Sequence, residues 1–352
     1  MLVDKAPAHL YPRAELLFTG DDKLIKTRGR RVAQDEDAAL QRHSNVPRPA
    51  THLLRALAHA LLWTAIVGAS ACGVSGGVDL PRGGGLRFAA IADYGVDDEN
   101  ELSVARLVKG WKPDFLITLG DNNYEAGLAS TIDDNIGKYY SEFIGGYAGS
   151  YGPGGPTNRF WPCVGNHDWY AQPGGSMQPY LDYFHALPGN KRYYDFVVGD
   201  VHFFSVDSDA HEPDGMTATS TQAAWLEARL GAATECFKIV YFHHPPYSSG
   251  PAMFTVPEMR WPFREWGADL VLTGHQHQYE RLEVGGMTYV VAGLGGALNR
   301  FDFSATQAES LVRYNADFGA LRADVTQDGL AFEFRDTKDQ LVDAFTLNKR
   351  CP

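Results

Sequence analysis

From residue 86 onward, short apolar runs alternate with stretches in which apolar residues recur every third or fourth position. Short apolar runs bounded by turn formers read as buried strands, and the periodic stretches read as amphipathic helices. Strands are predicted at 86–92, 114–119, 161–164, 193–198, 201–206, 237–242 and 269–272. Helices are predicted at 99–111, 132–144, 177–187, 221–232 and 257–266. The tail, with strands predicted at 288–292, 319–325, 330–335 and 341–347, is strand after strand with polar turns such as Gln327-Asp328-Gly329. Alternation followed by a run of strands predicts a mixed α/β core. Segment 145–156 (GGYAGSYGPGGP) and Gly174-Gly175 are loops by composition.

The front of the chain does not share this pattern. An apolar core at 56–71 (ALAHALLWTAIVGASA) follows Arg48 and Arg55 and closes on Ala69-Ser70-Ala71-Cys72. A basic flank, a short apolar core and a small-residue exit are the parts of an export signal. The core falls short of the roughly 20 residues a spanning helix needs. Cys72 resembles the lipid-acceptor position of bacterial lipoprotein signals. The core begins more than fifty residues from Met1. That distance fits either a translation start near Val32 or Val46 or a disordered arm before a signal anchor. A buried helix of a small N-terminal domain is the competing reading. The expected division is 1–52 disordered leader or mis-assigned start, 53–72 export signal or signal anchor, 73–85 flexible linker, and 86–350 the main folded domain. The expected location is exported, periplasmic or extracellular, with 53–72 and Cys72 offering a membrane tether.

Composition narrows the classes. With 44% hydrophobic and 21% charged residues, the 352-residue chain can bury a core and is not a disordered protein. The formal charge is −12, split as +3 over residues 1–82 and −15 over the rest. Such a surface excludes nucleic-acid binding through a basic face. Cysteines at 72, 163, 236 and 351 are too few for a disulfide scaffold and form no CxxC pair. Cys163 reads as a buried apolar filler, while Cys236 and Cys351 are candidates for a disulfide in an oxidising compartment.

The chemistry lies directly after the apolar runs. In order come Asp93-Tyr94-Gly95, Gly120-Asp121-Asn122-Asn123-Tyr124, Gly165-Asn166-His167-Asp168, His243 after Val240-Tyr241-Phe242, and Gly274-His275-Gln276-His277. Each puts a metal-competent side chain at the carboxyl end of a predicted strand, where ligands gather in α/β sheets. Singly, each block reads as an ordinary turn. Together they offer two carboxylates, a phenol, an amide oxygen and three imidazoles. That is too many donors for one tetrahedral ion and suits two ions sharing a carboxylate.

These blocks, in this order, resemble the metallophosphoesterase superfamily, and within it the small, single-domain purple acid phosphatases. The resemblance runs from about 86 to 350 and includes LGDNNY, WPCVGNHDWY, VHFFSVDSD and GHQHQYERL. It implies a four-layer α-β-β-α sandwich of two mixed sheets flanked by helices. It also implies that Asp93, Tyr124 and His277 hold the first metal, that Asn166, His243 and His275 hold the second, and that Asp121 bridges them. The first ion is then Fe³⁺ on the Tyr124 side and the second Fe²⁺, Zn²⁺ or Mn²⁺. Tyr124 discriminates, since a phenol titrating near 10 suits a strongly acidic cation.

The resemblance gives His167 a role in holding phosphate, and side-chain alternation after Asn166 turns it toward the mouth. His244 is a second catalytic candidate. Family members usually carry another histidine shortly after the His243 block, whereas 248–253 reads SSGPAM. Trp169, Tyr170 and Tyr247 are candidate pocket walls. Gly293-Leu294-Gly295-Gly296 lacks nucleotide-loop spacing and reads as a turn near the metals. The expected activity is hydrolysis of small phosphomonoesters by metal-activated hydroxide, that is, an acid phosphatase. A phosphodiesterase acting on nucleotides or phospholipid head groups is the alternative, and a lapsed metal-dependent binding protein is the third.

Overall fold

In a computed structural model of the protein, residues 76–77, 85–171, 175–297, 299–326 and 329–348 are described. The expected leader and signal segments lie outside these residues, as do Cys72 and Cys351. Numbered in chain order, eight strands form one mixed sheet: β1 (Gly76–Gly77), β5 (Tyr194–Val198), β6 (Val201–Ser205), β7 (Phe237–Tyr241), β8 (Leu270–Thr273), β9 (Tyr279–Val284), β10 (Met287–Ala292) and β11 (Ser310–Tyr314). Their spatial order is β1-β5-β6-β7-β8-β10-β9-β11. The second sheet holds β2 (Arg87–Ile91), β3 (Phe115–Thr118), β4 (Phe160–Pro162), β12 (Gly319–Thr326), β13 (Gly329–Asp336) and β14 (Leu341–Leu347), ordered β14-β13-β12-β2-β3-β4.

Side-chain alternation along each strand decides what packs where. Phe203 of β6 and Ile239 and Tyr241 of β7 point into the core between the sheets. Their neighbours Phe204, Val240 and Phe242 point into a second apolar cluster outside it. Aromatic rings join the two sheets: Phe88 of β2 meets Phe203 edge-on at 5.1 Å, and Trp161 of β4 stacks on Phe196 of β5 at 4.0 Å. Each such ring contributes about 1.5–3 kcal/mol of burial.

The helices are α1 (Glu99–Gly110), α2 (Asn166–Trp169), α3 (Gln178–Tyr183) and α4 (Thr221–Ala232). Asp98 caps α1 by accepting from the amides of Asn100 and Glu101, and α1 lies against β12. Ser220 caps α4 by accepting from Ala223 N, and Leu226 and Leu230 fill the outer cluster against the eight-stranded sheet. Helices thus flank two stacked mixed sheets, the sandwich expected from the sequence.

Several local expectations need correction. The helix predicted at 257–266 is only a 3₁₀ turn at Pro257–Met259 followed by turns. Pro262 lacks the amide proton a continuing helix would require and its ring crowds the preceding turn. The helix predicted at 132–144 is composite, running from a π turn (Asp133–Gly137) through Lys138–Tyr140 to a 3₁₀ turn (Ser141–Phe143). That predicted at 177–187 shortens to α3. Strands β9 and β11 were not anticipated. Gly76 and Gly77, within the segment read as a linker, pair in parallel with β5.

Candidate metal centre

Two pairs of parallel strands, β2–β3 in one sheet and β7–β8 in the other, and the loop after β4 bring the candidate residues together. Backbone geometry there is unusual. Asp93, Asp121 and His275 follow their strands with φ of 55°, 51° and 65°, in the left-handed region. This turns each side chain sharply off the strand direction. Gly120 has φ +90°, and a Cβ there would sit 2.5 Å from His243 Nδ1, so only glycine lets the imidazole approach. A Cβ at Gly274 would lie 2.8 Å from Asp93 Oδ2.

Two groups of donors result. Around His243 Nε2 lie Asp121 Oδ2 at 3.1 Å, His275 Nδ1 at 3.1 Å and Asn166 Oδ1 at 3.2 Å. Around the Tyr124 hydroxyl lie Asp121 Oδ2 at 3.0 Å, Asp93 Oδ1 at 3.2 Å and His277 Nε2 at 3.3 Å. Asp121 Oδ2 belongs to both groups. All seven residues expected as ligands are therefore brought together, and all but His275 are buried.

The histidines are oriented by what their other nitrogen does. His243 Nδ1 donates to the Leu119 carbonyl at 2.8 Å and His277 Nδ1 to the Asn299 carbonyl at 2.9 Å. A carbonyl only accepts, so each Nδ1 carries a proton and the neutral ring has its Nε2 lone pair free for an ion. That is how protein ligands of metals are usually held. The backbone amides of His275 and His167 bind the outer oxygens of Asp93 (Oδ2, 2.9 Å) and Asp121 (Oδ1, 2.8 Å), leaving the inner ones to face the donors.

Titration follows the same geometry. Burial alone would raise the Asp121 carboxyl, but His243, followed by His167 and His275, outweighs it and holds the group well below its ordinary range. Burial works against a charged His243, yet Asp121 lifts it to about 9. Tyr124 is pushed well above 10 by burial and by the charges of Asp121 and Asp93. His275 is depressed by burial and by the charges of His244 and His243, while His277 is raised because Asp93 outweighs its burial. Asp168 is lifted to about 7 by burial and Asp121. Among the described residues no Lys or Arg pairs with Asp93 or Asp121, whose recorded ion-pair partners are histidines. Hard oxygens, inward imidazole lone pairs and a phenol that needs a strong cation to lose its proton form a donor set that fits two metal ions.

His167 stands at the mouth, partly exposed, because it belongs to the helical turn α2; strand alternation is not the cause. Its Nδ1 donates to the Glu125 carbonyl at 2.5 Å and its Nε2 lies 3.9 Å from Asp121 Oδ2. His244 is mostly buried, its ring 4.4 Å from that of His275. Burial and the charge on His243 depress it to about 3.

Of the expected pocket walls, Tyr170 is at the mouth, its ring 5.2 Å from His167 and its hydroxyl accepting from Asn166 Nδ2. Trp169 is packing, with its indole N–H on Asp207, and Tyr247 packs against Tyr289 and Arg260. The 293–296 turn lies on the site, as Gly295 N donates to Ala92 O and Ala297 N to Asp93 O. Cys163 is free and fully buried; Cys236 is disulfide-bonded.

Sequence reading missed the supports. Asp168 Oδ2 accepts from Gly165 N and Asn122 Nδ2, both at 2.8 Å, and ties two ligand loops together. Its adjacency to Asn166-His167 was the only available signal. Phe301 stacks on His277 at 4.4 Å and Phe254 on Phe301 at 5.1 Å, from loops with no strand-end signature.

The calcineurin-like phosphoesterase family matches residues 86–279. Tartrate-resistant acid phosphatase type 5 from Mus musculus is 24% identical over 246 residues, covering 61% of this chain and 73% of that protein. The Homo sapiens protein of the same name is 23% identical, covering 61% and 74%. Purple acid phosphatase 23 of Arabidopsis thaliana is 29% identical over 161 residues, covering 39% and 34%. Among solved structures, GAP50, the anchor in the inner membrane complex of Plasmodium, superposes with a TM-score of 0.59 at 20% identity over 76% of this chain and 89% of that one, which bears on the fold alone. With more than half its length matched, the chain belongs to the calcineurin-like phosphoesterase family, as a metallophosphoesterase of the purple acid phosphatase type.

Proposed function

We propose that this hydrolase is an acid phosphatase cleaving small phosphomonoesters at a dinuclear centre. Asp93, Tyr124 and His277 would hold Fe³⁺; Asn166, His243 and His275 would hold Fe²⁺, Zn²⁺ or Mn²⁺; Asp121 would be shared. The carrying observation is Asp121 Oδ2, 3.0 Å from the Tyr124 hydroxyl and 3.1 Å from His243 Nε2, a single oxygen common to two donor groups. When bound, two such ions supply Lewis acidity and a water acidic enough to act as nucleophile.

The chain's own groups do the rest. Asp93 and Asp121 keep one oxygen each inward because backbone amides occupy the other. His167, whose Nδ1 proton is committed to Glu125, donates from Nε2 to a phosphoryl oxygen only as imidazolium. Tyr170, beside His167, would border the leaving group. Export through segment 53–72 belongs to the same proposal, and N-terminal sequencing of mature protein tests it.

Elemental analysis with an absorption spectrum tests the centre directly. Two metal ions per chain, iron among them, and a visible tyrosinate–iron band are expected. A colourless protein with two other divalent ions favours the phosphodiesterase reading. Turnover of p-nitrophenyl phosphate that survives Asn166→Ala and His243→Ala would remove the site assignment.

A further inference from the structure

Ser208, just after β6, is 1% exposed and sits beside His244, just after β7. Its hydroxyl oxygen accepts the backbone N–H of His244 at 2.9 Å and lies 2.9 Å from His244 Nδ1. No other partner of that hydroxyl exists among the described residues. The hydroxyl has one proton to place, and Nδ1 is the one acceptor in reach. Were Nδ1 itself protonated, the buried hydroxyl would be a donor without an acceptor, an arrangement folded proteins avoid. Ser208 therefore donates to Nδ1, and in the neutral ring the proton sits on Nε2.

This is the opposite tautomer from three neighbours. His243, His277 and His167 each spend their Nδ1 proton on a backbone carbonyl, so in the neutral ring Nε2 is the nitrogen without a proton. As neutral rings they can only accept at Nε2, and His167 donates there only as imidazolium. His244 is set up to donate, and its Nε2 has no hydrogen-bond partner among the described residues. A ring nitrogen of His244 lies within 4.8 Å of nitrogens of His243 and His275, and the residue is 8% exposed, so the ring borders the same site. An Nε2–H on a ring that borders a site holding phosphate suits a phosphoryl oxygen, which only accepts; it does not suit a metal ion.

We propose that Ser208 is a positioning residue that fixes His244 as an Nε2–H donor, and that this N–H binds a phosphoryl oxygen of the substrate. The inference rests on the phosphatase reading above. It removes His244 from the metal ligands despite its closeness to His243 and His275.

Two readouts test it. Long-range ¹H–¹⁵N NMR of histidine-labelled, metal-free protein reports the tautomer directly. His244 should show a protonated Nε2, and Ser208→Ala should shift it toward the other tautomer, whereas Ser208→Thr should not. In the metal-loaded enzyme, inorganic phosphate serves as a competitive inhibitor of p-nitrophenyl phosphate hydrolysis. His244→Ala and Ser208→Ala should weaken phosphate by about tenfold to a hundredfold, the range for a hydrogen bond to a charged group, with metal content unchanged. His244→Gln, whose amide nitrogen reaches near the Nε2 position, should retain most of the affinity; His244→Asn should not. Unchanged phosphate affinity in His244→Ala, loss of metal in that variant, or a protonated Nδ1 in the wild type would each overturn the proposal. A wild-type protein that holds two metals yet neither binds phosphate nor cleaves the ester would overturn the phosphatase reading, and this inference with it.

Discussion

Replacing Glu101 by Gln should remove a large part of the pH dependence of stability. Glu101 lies on the first turn of α1, fully buried, with Oε2 accepting from Val96 N at 2.9 Å and Asp97 N at 2.8 Å. It thereby clamps the turn that follows Asp93. Its Oε1 has no hydrogen-bond partner among the described residues. Burial, with the charges of Asp97 and Asp98 adding to it, lifts the group from 4.5 to about 8, although the two backbone hydrogen bonds pull the other way. The folded protein thus holds a proton that the unfolded chain has released. Stability from this group is complete below the unfolded value and is lost as pH rises toward the folded one. The full difference is on the order of 4–5 kcal/mol, and the slope in the window is at most about 1.4 kcal/mol per pH unit. Gln keeps an acceptor for both amides and cannot ionise. Urea titrations followed by tryptophan fluorescence, at several values from about pH 5 to 8 and with the same metal content, should show the variant overtaking the wild type as pH rises. Parallel curves for the two proteins would refute the claim that Glu101 is folded in its neutral form.

Gly120→Ala forces an L-residue to φ +90° and its Cβ onto His243; a loss of about 2–4 kcal/mol in denaturant titration is expected, together with loss of one metal ion per chain. Tyr124→Phe should abolish visible absorbance while circular dichroism stays native, because the ring remains packed 4.2 Å from His167; a band surviving this change would place iron elsewhere. Peptide mapping without reductant should find Cys236 joined to Cys351, and reduction should cost about 2–4 kcal/mol; a peptide joining Cys236 to Cys72 would contradict that pairing.

The site was more legible than parts of the fold. Asp93, Asp121, Asn166, His243 and His275 each follow a run of apolar residues closely, so the strand pattern announces where their side chains end up. The distance between Asp93 and His275 in sequence does not matter once the parallel pairs β2–β3 and β7–β8 deliver their ends to one site. Strand β9 was illegible because its sequence, YERLEV, is half charged. Glu280 is buried there with Ser249 N and Ser248 Oγ both donating to its Oε2, a partnership no local pattern reveals. The false helix at 257–266 shows the converse, since Met259, Trp261 and Phe263 pack into the outer cluster from a 3₁₀ turn and the turns after it, without a continuous α-helix. Ser208 was out of reach because its importance is a proton position, which depends on a neighbour 36 residues away.

The left-handed backbone at positions 93 and 121 explains why the two acids are aspartates. Outside glycine, that conformation is tolerated best by asparagine and aspartate, whose short polar arms bond locally. Glutamate would bring the same charge at a conformational penalty and with an extra methylene to accommodate. Screening randomised codons there for folding alone, with no selection for turnover, should therefore already enrich Asp, Asn and Gly over Glu, so part of the identity of this rim is dictated by chain geometry before any metal is considered.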